Sequence, residues 1–358
     1  MYILGINAYH GDSSACLLKD GILLAAVEEE RFRRIKHWAG FPSESIKFCL
    51  EQESITINDI DYVTVSRDPK VNIVKKVLHL LRFPSNIFAI RDRLFNSKKI
   101  HSIKHELAKT FCLNASDINL NIYNIEHHRS HIASSFFASG FYESAVLSID
   151  GFGDFTSTMT AYGNCNKINV LNQIYYPHSL GILYTAMTQF LGFPNYGDEY
   201  KVMGLAPYGN PIYIKQLEKM LILDKDSFYL NNKYFSHFKD GVSMSWDNGT
   251  PFIESLYTLY WIDLFGPPRK RSQDIEKIHF DLAASIQKFT EHVIFNILNS
   301  LYNKTGSRNI CVTGGIAQNS VVNGKILKNT SFNHIYIPSA GHDAGTSIGS
   351  ALFLYNNI

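Results

Sequence analysis

The sequence predicts an α/β protein built from two related lobes that face each other across a cleft. The first observation is a run of strand, polar loop, strand, Asp-Gly turn and strand over residues 2–27. The second is the return of that order over residues 145–171, now with a glycine-rich acidic loop after the first strand. Such self-similarity indicates an internal duplication, although any α/β protein contains several strand–turn–strand units. We therefore place lobe I at residues 1–143 and lobe II at residues 144–358.

Lobe I is predicted to begin with hairpin strands and to continue with helices. Ser43 follows Pro42 and is typical of a helix N-cap. Residues 70–115 are basic and apolar with a helical period, so we interpret them as a helical insertion on this lobe. The predicted elements are strands at 2–6, 15–18 and 22–27, a helix at 43–52, and strands at 61–66 and 121–125, the last leading into a histidine-rich helix.

Lobe II is predicted to contain a second hairpin sheet and a long buried helix with a 3.6-residue period. Residues 192–209 are dense in glycine, proline, aromatic and charged residues, which is typical of a functional loop. The predicted elements are strands at 145–149, 156–162 and 168–171, helices at 179–191 and 274–302, a strand at 309–312, a helix at 320–328, a strand at 334–337 and a closing helix at 348–354.

Composition excludes several classes of function. The formal net charge of +2 is too near neutral to indicate a nucleic-acid or membrane surface. No apolar run approaches the length that spans a bilayer, and the N-terminus lacks the pattern of a signal peptide. The five cysteines are scattered without a Cys-x-x-Cys motif, which favours a reducing compartment. We expect a soluble, cytoplasmic protein with neither a membrane nor a nucleic-acid partner.

Three histidines fall within five residues, at positions 127, 128 and 131. His127 and His131 are four apart, so they share one face of a helix and can grip one metal ion together. The simpler interpretation is a partly exposed, histidine-rich helix start. His128 is expected to neighbour the ligands and not to be one of them.

Loops that carry Asp or His beside Gly follow several predicted strands, and such loops gather at one edge of an α/β lobe. Asp150 and Asp343 lie in two of these loops. With the histidine pair they make a nitrogen and oxygen set that suits iron, manganese or zinc. Each aspartate has a simpler interpretation, as a turn residue or as the N-cap of the final helix. The simpler interpretation of His10 and Asp12 is that they form an Asx turn. The simpler interpretation of Lys201 is a solvated lysine.

A strand that ends in Gly314-Gly315 and then enters a helix lets a ligand approach the backbone closely, as nucleotides do at such points. Phosphate-bearing ligands also need backbone N–H donors and often a divalent ion. A series of motifs occurs in order along the chain: residues 4–13 (LGINAYHGDS), 27–32 (VEEERF), 126–131 (EHHRSH), 148–151 (SIDG), 199–207 (EYKVMGLAP), 265–269 (FGPPR) and 314–319 (GGIAQN). Together they resemble the NodU/CmcH-type O-carbamoyltransferases, which include the tobramycin enzyme, over almost the whole chain.

The resemblance implies an actin-like, sugar-kinase-like (ASKHA) fold and similarity to the tRNA threonylcarbamoyltransferase. It implies that a divalent metal, typically Fe(II) with Zn, Mn or Mg as alternatives, holds the phosphates of ATP or carbamoyl-adenylate. The metal ligands it implies are His127, His131, Asp150 and Asp343. The residues expected to bind the nucleotide are Gly151, Gly153, Lys201, Gly314, Gly315, Asn319 and Gly341.

The implied reaction passes a carbamoyl group from carbamoyl-adenylate to a hydroxyl of a sugar-like or natural-product acceptor. We expect His10 and Asp12 to position or deprotonate that hydroxyl. Members of the family also carry a YrdC-like domain that makes carbamoyl-adenylate from carbamoyl phosphate and ATP. We expect that domain to be absent from this chain, which is then either a fragment of a longer protein or a protein that receives the activated carbamoyl group from a separate YrdC-like partner. Two alternatives stay open, namely an ATP-dependent sugar kinase of the same fold and a nucleotide-binding subunit without turnover.

Overall fold

A computed structural model describes residues 1–82, 103–242 and 244–358 of the chain. The strands are β1 Tyr2–Asn7, β2 Ser14–Lys19, β3 Ile22–Glu28, β4 Tyr62–Val65, β5 Asn121–Asn124, β6 Glu143–Gly153, β7 Thr156–Asn164, β8 Lys167–Tyr175, β9 Leu221–Asp224, β10 Ser227–Leu230, β11 Met244–Asp247, β12 Thr250–Ile253, β13 Asn309–Thr313 and β14 His334–Tyr336. The α-helices are α1 Glu30–Arg33, α2 Ser43–Gln52, α3 Ile73–Arg82, α4 Ile103–Phe111, α5 His127–Phe136, α6 Leu180–Phe190, α7 Glu199–Leu205, α8 Ile214–Met220, α9 His237–Asp240, α10 Ile262–Phe265, α11 Lys277–Thr305, α12 Ser320–Asn323, α13 Ile326–Asn329 and α14 Thr346–Tyr355.

Two five-stranded sheets repeat one topology. The first has the order β3-β2-β1-β4-β5 and the second the order β8-β7-β6-β13-β14. In each sheet the first three strands form an antiparallel meander. In each sheet the last two strands then run parallel to the strand that begins the meander. The duplication predicted from the sequence pattern is therefore present strand for strand.

The cores of the two sheets are built from the apolar faces of amphipathic helices. On the first sheet, Ile46 and Leu50 of α2 and Leu107 of α4 pack in one buried cluster with the apolar residues of β1 and β4. On the second sheet, the long helix α11 and helix α6 bury a larger cluster with β6 and β13. Removing this apolar surface from water is the main stabilising contribution.

Two helices lie between the sheets and bring the lobes together. Helix α5 packs through Ile132 and Phe136 on the second sheet. Helix α14, from the end of the chain, packs through Ala351 and Leu354 on the first sheet. The two helices contact each other so closely that a Cβ at Gly349 would lie 1.7 Å from the backbone oxygen of Ser130. Helix α5, which carries the histidines, is thereby held between both halves of the duplication.

Some predicted elements differ from the observed ones. Residues 150–154 are not a separate loop, because β6 continues to Gly153 with irregular pairing after Ile149. The helix predicted at 320–328 is two short helices, α12 and α13. Of the predicted insertion at 70–115, α3 and α4 are helical, and residues 83–102 lie outside the described residues. The lobe boundary at residues 143 and 144 stays a prediction.

The interval 210–260, for which no element was predicted, contains the hairpins β9-β10 and β11-β12. Of the cysteines, three are buried, whereas Cys112 and Cys165 are exposed. Within the described ranges, no helix combines the length and the apolar character needed to cross a membrane.

Candidate metal centre and adjoining cavity

Four side chains meet where α5 faces the ends of the two sheets. His127 is the first residue of α5, and His131 lies one turn later on the same face. Asp150 comes from the irregular end of β6, and Asp343 from the one-turn 3₁₀ helix that precedes α14. One ligand atom from each residue lies within 4.8 Å of the others. The four residues expected to hold a metal are thus brought together, and three of them are buried.

The distances within this group suit a small divalent ion. The Nε2 atoms of His127 and His131 are 3.1 Å apart, and Asp343 Oδ1 lies 3.3 Å from each of them. Asp150 Oδ2 lies 3.1 Å from His127 Nε2 and 3.4 Å from His131 Nε2. Ligands about 2.0 Å from a tetrahedral ion are separated from one another by about 3.3 Å. The donor set and its spacing therefore fit a divalent metal.

Electrostatic coupling holds the group in a charged form. Burial lowers the pKa of His127, but the charge of Asp343 and a hydrogen bond with Asp150 outweigh burial and raise that pKa to about 10. Burial and the charge of Asp343 raise the pKa of Asp150, yet bonds to His127 and His131 leave that pKa below its usual range. Burial likewise raises the pKa of Asp343, and the electrostatic interactions and hydrogen bonds with His10 and His127 bring it well below the usual range. Two carboxylates this close need positive charge between them.

His128 has a different role from its neighbours. Its Nδ1 lies 2.8 Å from Ser148 Oγ, and its Nε2 lies 3.1 Å from the backbone oxygen of Thr156. Burial, followed by the positive charges of His127 and His131, lowers the pKa of His128 to about 3. A neutral ring fixed between a hydroxyl and a carbonyl anchors α5 to the second sheet. His128 is not part of the four-residue cluster, as the sequence predicted.

The tip of the β6-β7 hairpin shapes the position of His127. A Cβ at Gly153 would lie 1.9 Å from His127 Cδ2, so only glycine leaves room for the ring. Gly153, which we expected to bind the nucleotide, therefore packs against a candidate ligand. Asp154 Oδ2 accepts a hydrogen bond of 2.9 Å from the backbone N–H of His127. Burial raises the pKa of Asp154 despite the nearby charge of Arg67.

His10 and Asp12, the two residues expected to act on the acceptor hydroxyl, lie at different distances from the four-residue cluster. His10 Nδ1 pairs directly with Asp343 Oδ2. Asp12 does not reach the cluster and instead lies 2.7 Å, through Oδ1, from Nδ1 of His37. Burial lowers the pKa of His37, but hydrogen bonding and charge from Asp12, with help from Glu30, raise it overall. The Asp12–His37 pair is a feature that the sequence did not specify.

The predicted glycine loop supports the cluster from the second sheet. Gly315 N donates to Asp150 Oδ1 at 3.3 Å, and Gly315 lines the cavity. Gly314 has φ +87°, and a Cβ there would lie 2.2 Å from the backbone oxygen of Ile149. Its N–H donates to the carbonyl of Gly341 at 2.8 Å. Gly314 and Gly341 thus join two loops, and neither is among the described residues that line the cavity.

Three further predicted nucleotide-binding residues are placed differently. Gly151 lines the cavity and has open space where a Cβ would stand. The amide of Asn319 also lines the cavity, but it pairs with Gln287 and accepts from the N–H of Val322. Lys201 forms an ion pair of 2.6 Å with Asp198, and its side chain is not among the described lining residues.

A cavity of about 910 Å³ lies between the sheets and includes Asp150 and Asp343 in its wall. This volume is at the upper end of the range for small-molecule sites. Glu199 lines it and accepts a hydrogen bond of 2.6 Å from Thr185 Oγ1, while burial raises the pKa of the carboxyl. Glu199 and Tyr196 were not singled out from the sequence; both lie in the glycine- and proline-rich stretch predicted to be functional.

The duplicated sheets, with a polar cluster between them, define the actin-like fold, and this part of the prediction is confirmed. The activator of the 2-hydroxyisocaproyl-CoA dehydratase from Clostridium difficile superposes with a TM-score of 0.50 at 15% identity. That likeness covers 100% of this chain and 95% of that chain, and it shows the fold alone.

Residues 2–352 match the protein family described as Carbamoyltransferase N-terminus, and the chain belongs to that family. An uncharacterised protein of Synechocystis sp. is 38% identical over 99% of this chain and 57% of its own length. The nodulation protein NolNO of Sinorhizobium fredii is 32% identical over 98% of this chain and 47% of its own length. The chain therefore spans about half the length of these curated relatives. The resemblance inferred from the motifs is confirmed.

Proposed function

We propose that this protein carries the transfer site of an O-carbamoyltransferase, which passes the carbamoyl group of carbamoyl-adenylate to a hydroxyl of a sugar-like or natural-product acceptor. The observation that carries the proposal is the cluster of His127, His131, Asp150 and Asp343 at the wall of a cavity, in a chain of the carbamoyltransferase family. Family membership supports the reaction class, and the cluster supports the use of a phosphate-bearing donor.

The four clustered residues would hold a divalent metal, which we propose to be Fe(II). Two imidazoles and two carboxylates suit iron, zinc or manganese better than the all-oxygen set that magnesium prefers. When bound, such an ion neutralises phosphate charge and stabilises the departing phosphate oxygen. His127 and His131 meet it as neutral nitrogen donors, so binding displaces the proton that a raised pKa keeps on His127 in the metal-free protein.

The chain's own residues would bind and orient the donor. The glycine loop brings a backbone N–H to Asp150, and Gly151 leaves open space beside it, so phosphate oxygens can approach the backbone here. Lys201 is a weaker candidate than the glycines, because its ammonium group is paired with Asp198. Asn319 would act on the adenosine side mainly by fixing Gln287 and the start of α12.

In the proposed reaction the acceptor oxygen attacks the carbamoyl carbon and forms a new C–O bond. The bond from that carbon to the adenylate phosphate oxygen breaks, and AMP leaves with the electron pair. The acceptor's proton passes to a base on the protein, for which His10 and Asp12 are our candidates. His10 is held by Asp343, and Asp12 is coupled to His37, so both lie within a polar network at the cavity.

A YrdC-like domain or a separate YrdC-like protein would supply carbamoyl-adenylate from carbamoyl phosphate and ATP. We propose that the transfer takes place in the cytoplasm, where both precursors are available. Neither membrane lipid nor nucleic acid is needed as a partner in this reaction.

The test is product analysis. The purified protein, loaded anaerobically with Fe(II), is mixed with a YrdC-like enzyme, carbamoyl phosphate, ATP and a panel of hexoses and N-acetylhexosamine oligomers. We expect an acceptor to gain a carbamoyl group and AMP to appear in equal amount, with no product from the His131→Ala variant. A gain of a phosphoryl group with release of ADP would replace the proposal by a sugar kinase. Nucleotide binding without any acceptor product would indicate a binding subunit.

A further inference from the structure

One carboxylate connects the candidate metal centre to a helix that lines the cavity. Asp154 lies at the tip of the β6-β7 hairpin, with φ +50°, and its side chain is 2% exposed. Its Oδ2 accepts two hydrogen bonds, one of 2.9 Å from the backbone N–H of His127 and one of 2.8 Å from that of Asp68. The donors belong to segments 59 residues apart in sequence, and a single oxygen fixes both.

The bond to His127 acts at the start of helix α5. Glu126, the residue before the helix, makes no side-chain capping bond. The first N–H groups of a helix have no partner within the helix, and an anionic acceptor there is favourable. Asp154 supplies that acceptor from a distant part of the chain. Because His127 is both the first helical residue and a candidate ligand, the bond sets the position from which its ring reaches Asp150.

The bond to Asp68 acts on the other side of the cavity. Residues 67–72 lead directly into α3, whose Lys76, His79 and Leu80 line the cavity. Asn72 reinforces the link, since its Nδ2 donates to the backbone oxygen of Asp154 at 3.0 Å. Arg67, which also lines the cavity, lies 4.0 Å from Asp154 Oδ1 through Nε. A shift of the hairpin tip would therefore disturb both His127 and the start of α3.

We propose that Asp154 is a positioning residue that couples occupancy of the metal centre to the order of α3. The inference rests on the proposed metal centre and adds to it a residue outside the ligand set. Groups that orient metal ligands typically change metal affinity by about 10- to 100-fold when removed. Coupling is reciprocal, so metal binding should in turn stabilise the segment that Asp154 holds.

The experiment measures two properties of the full chain, both independent of carbamoyl transfer. The first is the affinity for Co²⁺, followed by its visible absorption; the second is amide hydrogen exchange over residues 67–82 with and without Co²⁺. For Asp154→Ala we expect a loss of about 10-fold or more in Co²⁺ affinity, since both N–H groups lose their acceptor. Exchange at Asp68 and His127 should become faster, and Co²⁺ should no longer slow exchange over 67–82.

Two further variants keep the outcome decisive. Asp154→Asn retains one side-chain oxygen for the two N–H donors, so it should lose less Co²⁺ affinity than the alanine variant. It replaces the alanine variant in the test if that variant does not fold. Asn72→Gly removes the bond to the backbone oxygen of Asp154 and a longer one of 3.4 Å to Thr156 Oγ1, but leaves both bonds to Asp154 Oδ2 in place. Glycine also tolerates φ +60° at position 72. It should loosen residues 67–82 while leaving Co²⁺ affinity within about twofold, a change too small to reflect a displaced ligand.

The proposal is overturned if Asp154→Ala is folded and binds Co²⁺ as tightly as the wild-type protein, or if exchange at Asp68 and His127 is unchanged. Failure of the wild-type protein to bind Co²⁺ would count against the metal centre itself. Amide hydrogen exchange of the Asp154 variants, measured without metal, would still show whether Asp154 holds both segments. The two failures are thus distinguishable.

Discussion

His127 Nε2 lies 3.1 Å from His131 Nε2, and both atoms lie 3.3 Å from the same oxygen of Asp343. Two ring nitrogens at that separation repel through their lone pairs unless a proton or a cation lies between them. The one-turn spacing of the two histidines on α5 therefore produces a converging pair, and the aspartates complete it.

Replacing His131 with Ala should abolish stoichiometric binding of Fe(II) or Zn²⁺, because one of two nitrogen donors is lost from the centre. Metal analysis of the purified protein, with circular dichroism to verify the fold, measures this. The matched control is His128→Asn, which alters the adjacent buried histidine. That control should keep its metal and lose about 1–3 kcal/mol of unfolding free energy, because buried hydrogen bonds to Ser148 and Thr156 are disturbed. Normal metal content in the His131 variant would refute the ligand assignment.

Gly153→Ala should weaken metal binding without unfolding the protein. A Cβ at this position would lie 1.9 Å from His127 Cδ2, so the ring must move away from Asp150. We expect a loss of about 10-fold in Co²⁺ affinity, comparable to the removal of an orienting group. Gly151→Ala is the control, because nothing lies within 4 Å of a Cβ there. Equal affinities in the two variants would mean that the hairpin tip does not constrain His127.

Gly349→Ala should destabilise the whole protein. A Cβ at 349 would lie 1.7 Å from the backbone oxygen of Ser130, where α14 crosses α5. The helices must separate, which costs about 1–3 kcal/mol of unfolding free energy. Gly204→Ala is the control, since Gly204 lies within helix α7 with open space at its Cβ. It should stabilise the protein by about 0.5–1 kcal/mol. Denaturant unfolding measures both, and a harmless Gly349 variant would contradict the close crossing.

The sequence alone predicted the four residues that meet in the candidate metal centre. His127 and His131 share a helical face by spacing alone. Asp150 and Asp343 were expected in loops that follow strands and meet at one edge of a sheet. Asp343 does follow a strand and its turn, whereas Asp150 lies in the irregular end of β6, and both reach the cluster. The helical spacing and the order of the predicted strands can both be read from a single sequence.

The remaining interactions depend on how segments turn in space. Asp154 accepts hydrogen bonds from the N–H groups of His127 and Asp68 because it lies at the tip of a bulged hairpin. A glycine-rich sequence does not distinguish such a bulge from a loop. The Asp12–His37 pair is fixed by the packing of two loops. The ion pair of Lys201 with Asp198 is local, since the two residues are three apart in sequence, but no pairing was predicted for Lys201.

His178, which lies outside the candidate metal centre, should make the stability of the folded protein sensitive to acid. Burial, followed by the charges of Arg82 and His79, lowers the pKa of His178 to about 4, and its Nδ1 accepts a hydrogen bond of 3.1 Å from Leu230 N. The folded protein thus favours the neutral ring, whereas the unfolded chain takes up a proton near pH 6.5. The stability that His178 contributes is complete above pH 6.5 and is lost as the pH falls towards 4.

Comparison with His178→Asn isolates this contribution, because all other titrating groups are common to both proteins. Urea unfolding at pH 7.5 and at pH 5 should show the advantage of the wild-type protein shrinking by about 1–2 kcal/mol, less than a fully buried group would give, since the ring is only partly buried. An advantage that stays constant between the two pH values would show that His178 is not held neutral by the fold. An advantage that grows on acidification would mean that the ring is stabilised in its charged form, with a carboxylate partner in place of the bond from Leu230.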